Sequence, residues 1–140
     1  MQMQMKGPFN EIFAQGGVGR HETFTPRYGW LKKGYDAIKA NPKIFKQDDA
    51  IVKLGVGKNM VKAMRSWCLA FKLINQEGQK ISPSDLGKKL LDDKKGWDIY
   101  LEDDASLWLL HWQLFIPPFE MVSWSLAFNY CNLTSFDGAE

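Results

Sequence analysis

The spacing of hydrophobic positions changes along the chain, and each change marks an element. From Arg27 to Ala40 the period is helical: Trp30, Leu31, Gly34, Tyr35 and Ile38 share one face, while Lys32, Lys33, Asp36 and Lys39 share the other. Asn41-Pro42 stops the pattern, because proline cannot continue a helix. A short second helix is predicted from Asp48 to Leu54, with its acids at the positive end of the helix dipole. A third starts just after Gly57. Val61, Met64, Cys68 and Phe71 form its buried stripe, and Lys58, Asn59, Lys62 and Arg65 its polar face. Leu73-Ile74 and Ile81 flank NQEGQK, two short apolar pieces around a glycine turn, so a β-hairpin is predicted. Ser82 or Ser84 then caps a helix that carries Pro83 in its first turn and Leu86, Leu90 and Leu91 on its apolar side. Two aromatic-rich helices close the chain, from Asp103 to Phe115 and from Phe119 to Tyr130, split by Pro117-Pro118.

This order predicts a mainly α chain with a small β-hairpin, an α+β fold. Residues 1–26 are expected to be irregular, residues 27–95 to form a winged helix-turn-helix, and residues 96–140 to be an aromatic, acidic helical extension packed on the same domain. The helix-turn-helix reading rests on Ile51, Gly55, Val56, Val61 and Met64. They supply an apolar residue in the first helix, a glycine four places on at the turn, and buried aliphatics in the second helix. Gly55 permits the positive φ that ends the first helix, and Gly57 stands at the cap of the second.

The stretch LGVGKNMV (54–61) also raises a nucleotide-binding loop, and the residues exclude it. Asn59 follows Lys58 where a Ser or Thr would hold magnesium, and Val52 stands where the first motif glycine belongs.

Charge sharpens the picture. All 18 Lys and Arg lie in residues 1–95, whereas residues 96–140 contain only acids among their charged residues. From Ala50 to Gln76 there are Lys53, Lys58, Lys62, Arg65 and Lys72 and no acid. Such a patch attracts a polyanion. Lys58, Asn59, Lys62 and Arg65 would face the major groove of duplex DNA, with Gln79 and Lys80 of the hairpin and Arg27 against the backbone. The bland alternative is an adaptor domain whose basic face is merely solvated. The acid-free run favours DNA.

Other chemistry is thin. Cys68 and Cys131 are far apart, which fits buried thiols in a reducing, cytoplasmic setting, and no Cys/His cluster has zinc spacing. No cofactor, metal or membrane partner is expected, since no segment approaches the roughly 20 apolar residues of a membrane span. The start also lacks the pattern of a secretory signal. His21-Glu22 is the one His beside a carboxylate and so the weak catalytic candidate. A structural or DNA-backbone role is preferred for His21, Thr23 and Arg27. His111 is expected to be a hydrogen-bonded core or interface residue. Asp103 or Asp104 is expected to cap a helix rather than hold a metal. Trp108 and Trp112, four apart, are expected to pack in the core rather than stack on bases. Among the other rings of residues 97–130, Phe119 and Trp124 are the expected exposed pair of an association surface.

Three blocks carry a resemblance: HETFTPRYGWLKKGYDAI (21–38), DDAIVKLGVGKNMVKAMRSWCLAFKLI (48–74) and GWDIYLEDDASLWLLHWQLF (96–115). In order, they resemble the phosphorothioation-linked DNA nickase family typified by SspB, over about Gly19 to Tyr130. The resemblance implies a bacterial modification and defence system, a DNA partner, and other proteins of that system as partners. Family members continue further than this chain, so it is expected to correspond to their N-terminal domain and not to nick DNA alone. Three functions remain open: DNA engagement, a protein-interaction module or homo-oligomer, and a self-contained metal nuclease.

Overall fold

The computed structural model describes residues 20–130. Helix α1 is Trp30–Ala40, a 3-10 turn follows at Ile44–Lys46, α2 is Ala50–Leu54 and α3 is Lys58–Ala70. Strands β1 (Ile74–Glu77) and β2 (Lys80–Pro83) pair antiparallel in the register Ile74↔Pro83 to Glu77↔Lys80. Helix α4 is Asp85–Leu91, α5 is Asp104–Gln113 and α6 is Val122–Asn129. This is the α+β architecture read from the periodicities, in the order expected.

The buried face of α1 consists of Trp30, Leu31, Gly34, Tyr35 and Ile38, as the spacing required. That face meets α3. The fit is close: a Cβ on Gly34 would come within 2.6 Å of Cys68 Sγ. Burial pushes the Cys68 thiol up to about 12, so it stays a protonated core group. One cluster joins Leu31, Tyr35 and Ile38 to Trp67, Leu73, Ile81, Leu90, Leu110, Leu114 and Met121; a second joins Trp30, Ala50, Leu54, Val61, Ala63 and Met64. The C-terminal helices therefore share the core of the rest of the molecule.

Local chemistry sets the ends. Gly55 ends α2 at φ 63, in the left-handed region where glycine costs least. Ser84 caps α4, its Oγ accepting from Gly87 N at 2.8 Å. Asp103 caps α5, accepting from Ala105 N. Before it, Asp98 accepts from the N–H groups of Glu102 and Asp103 at 3.0 and 2.9 Å.

Several expectations are corrected. Pro83 is not in a helical turn but closes β2 opposite Ile74; the missing N–H costs nothing at the end of a two-stranded sheet. Ile51 is 41% exposed and Val52 82%, and the inward positions of α2 are Ala50 and Leu54. A five-residue helix has too little periodicity to fix its own face, so its neighbours decide it. Trp108 and Trp112 are 71% and 64% exposed rather than in the core, and Phe119 and Trp124 are half-buried rather than exposed. The inward face of α5 is instead Ser106, Leu110 and Leu114. Residues 1–19 and Cys131 lie outside the described residues.

Candidate nucleic-acid interface

Helix α3 presents its cations on one side because Lys58, Lys62 and Arg65 are spaced four and three apart. Lys58, Asn59 and Lys62 are exposed and Arg65 is half-buried. Arg65 donates through its guanidinium to the Gln76 side chain on β1, and Gln76 in turn donates to Gly78 O at 2.8 Å. The hairpin is thereby tied to the exposed side of α3. Its tip is held from elsewhere: Lys46 Nζ donates to Gln79 O and Oε1 at 3.2 and 2.9 Å. Lys80 is exposed beside it. Lys46 and Gln76 are neighbours of this surface that the sequence did not single out, because their relevance comes only from contacts made across the fold.

The acid-free run does not stay acid-free in space. Glu22 Oε1 lies 3.2 Å from Lys62 Nζ. The turn that delivers it is strained, with Glu22 and Thr23 at φ 51 and 65, unusual for a carboxylate residue and more so for a β-branched one. Two bonds from α3 hold that turn: Ser66 Oγ donates to Arg20 O at 2.7 Å, and Trp67 Nε1 donates to Phe24 O at 2.8 Å. His21 stacks on Trp67 with ring centroids 5.5 Å apart. His21 and Glu22, adjacent in sequence, thus serve different neighbours. Among the described residues no group of three or more His, Cys, Asp or Glu is arranged to hold a metal ion.

Arg27 has another setting. Its guanidinium lies 5.8 and 5.5 Å from the ring centroids of Phe24 and Trp30. It lines a cavity between residues 21–32 and the C-terminal helices, together with His21, Trp67, His111 and Trp124. His111 stands edge-on to Trp108, Phe115, Trp124 and Phe128, the hub of an aromatic cluster. Trp97, Tyr100, Trp108, Trp112 and Phe128 are exposed. Among the described residues no helix is long and apolar enough to cross a membrane.

The family described as "Protein of unknown function (DUF4007)" matches residues 18–140. Two solved structures are similar. A crystal structure of SspB has a TM-score of 0.78 and 42% identity, covering 86% of this chain and 39% of that one. A magnesium ion-bound SspB crystal structure has a TM-score of 0.75 and 43% identity, covering 84% of this chain and 38% of that one. The chain therefore spans about two fifths of the length of the SspB chains it matches. No curated protein matches.

Proposed function

The chain belongs to the DUF4007 family and is SspB-like in structure, and from that premise we propose that it engages duplex DNA as a winged helix-turn-helix. In this reading α3 enters the major groove and the hairpin is the wing. The observation that carries it is the row Lys58, Lys62 and Arg65 on α3, with Arg65 fastened to the hairpin through Gln76. A helix-borne cation row beside a hairpin matches the width of a groove and the charge of its phosphates. Asn59 and Arg65 have side chains able to read base edges, while Lys58, Lys62 and Lys80 suit phosphates. Lys46 adds a charge beside the wing, already shared with Gln79.

The system served is a DNA phosphorothioation or nicking pathway in a bacterial cytoplasm, and its other proteins are the partners. The likeness to SspB supports this. Strand cleavage is assigned to residues other than His21 and Glu22, since Glu22 is paired with Lys62. A second reading, a protein-docking module, has its own support in the exposed rings Trp108, Trp112 and Phe128. It concerns the acidic C-terminal part and is compatible with the first.

The test is a triple variant, Lys58→Ala, Lys62→Ala and Arg65→Ala, compared with the parent chain for duplex affinity by fluorescence anisotropy after a check of folding. Loss of the two phosphate contacts of Lys58 and Lys62 should lower the slope of log affinity against log salt by about 1.8, and loss of Arg65 should lower affinity further. An affinity and slope equal to those of the parent would overturn the reading.

A further inference from the structure

The cavity beside Arg27 has a volume of about 480 Å³. That lies within the ~300–1,000 Å³ of ordinary ligand pockets. Its walls are Phe24, Trp67, Phe71, Leu110, Leu114 and Trp124, rings and aliphatic chains contributed by the N-terminal segment, α3, α5 and α6. Among the described residues no Asp or Glu lines it, whereas Arg27 and Lys32 do.

The two cations differ in what they have left to offer. Lys32 Nζ lies 2.6 Å from both Asp36 Oδ1 and Asp93 Oδ1. Burial opposes its charge, but these two carboxylates outweigh burial and raise its pKa. Its charge is already answered. Arg27 rests on the faces of Phe24 and Trp30 and has no carboxylate partner among the described residues. A third wall residue, His21, keeps a buried Nδ1 without a hydrogen-bond partner. Buried polar atoms are normally paired. Outward from the mouth, the wall residues Tyr100 and Leu107 are 62% and 48% exposed, and Trp108 continues the apolar surface along α5.

We propose that this cavity docks a segment of a partner polypeptide that inserts an aromatic side chain among Trp67, Phe71 and Trp124 and lays a neighbouring carboxylate on Arg27. Charge complementarity selects the acidic segment: the one unanswered charge on the wall is a guanidinium, which forks onto carboxylates. The walls select a side chain over a nucleobase, because a base edge carries several polar atoms and these walls offer few partners for them. Trp, Tyr and Arg at a concave apolar site are also the composition of binding hot spots. The inference is independent of the DNA reading, which concerns the exposed side of α3.

The Trp67 indole N–H, held to Phe24 O, supplies a local reporter by NMR. The labelled chain is titrated with three probes: the blocked tripeptides Asp-Trp-Asp and Lys-Trp-Lys, and thymidine monophosphate. The acidic peptide should shift the Trp67 resonance saturably and bind about threefold or more tightly than the basic one. Arg27→Glu should reverse that order, and Arg27→Gln should equalise the two, which gives a second reading of the same charge. No saturable shift from the acidic peptide, equal affinity for both peptides in the parent chain, or tighter binding of the nucleotide would each overturn the proposal.

Discussion

Asp92 shows how a single surface residue is made part of the fold. Its Oδ2 lies 2.9 Å from Lys39 Nζ, and its Oδ1 accepts the N–H groups of Lys94 and Lys95 at 3.1 and 3.2 Å. The Lys39 hydrogen bond first, and the Lys94 N–H next, hold its carboxyl down from the ordinary 3.8 to about 2. A carboxyl depressed on folding contributes stability that is present above its unfolded value and lost as pH falls through its folded value. The window here runs from 3.8 down to about 2. Asp93 is lowered too, chiefly by Lys32, so the loss is shared. Asp92→Asn should therefore lose less stability than the parent over that acid range, measured by urea unfolding at a series of pH values. Parallel curves would contradict this assignment. Nothing in the sequence singled out Asp92: its partners are the last turn of α1, far away in the chain, and two backbone groups.

Elements differ in how tightly their neighbours constrain them, and glycines show where. A Cβ on Gly87 of α4 would come 2.2 Å from the Leu73 carbonyl oxygen and 3.0 Å from Tyr35 Cε2. Backbone cannot step aside, so Gly87→Ala should destabilise by about 1–3 kcal/mol, overriding the better helix propensity of alanine. At Gly34 the nearest atoms belong to the side chains of Cys68 and Met64. Gly34→Ala should cost less, because the limiting contact is the Cys68 side chain at 2.6 Å, which can rotate where backbone cannot; urea midpoints of the two variants give the order, and the reverse order would refute the distinction. The same contrast explains what the sequence could tell. The faces of α1 and α3 were legible because eleven and thirteen residues give several turns of pattern. The face of α2 was not, because five residues give barely one. The two C-terminal helices were found by their rings, yet which rings are buried was misread. Both are apolar nearly all round, so only the shape of the core chooses Leu110 and Leu114 over Trp108 and Trp112. The candidate interface was legible as the charge row on α3, but the Glu22 ion pair with Lys62 and the Arg65 link to Gln76 were not. They join residues brought together by turns whose geometry no local pattern announces.

At the scale of the whole molecule, charge divides along the sequence but not cleanly in space, since Glu120 pairs with Arg20 at 3.2 Å. The cations all precede residue 96, and only acids follow. The halves nevertheless share one core through Leu110, Leu114 and Met121. The cavity at Arg27 lies between residues 21–32 and the C-terminal helices. The likeness to SspB extends over about two fifths of the SspB chain. The most direct test is a salt titration of its binding to a short duplex. Phosphate contacts by Lys58 and Lys62 alone predict log affinity falling linearly with log salt at a slope of about −1.8, and Lys80 would steepen it by about 0.9. Absence of measurable binding at low salt, or an affinity that does not change with salt, would contradict a DNA-engaging role for α3.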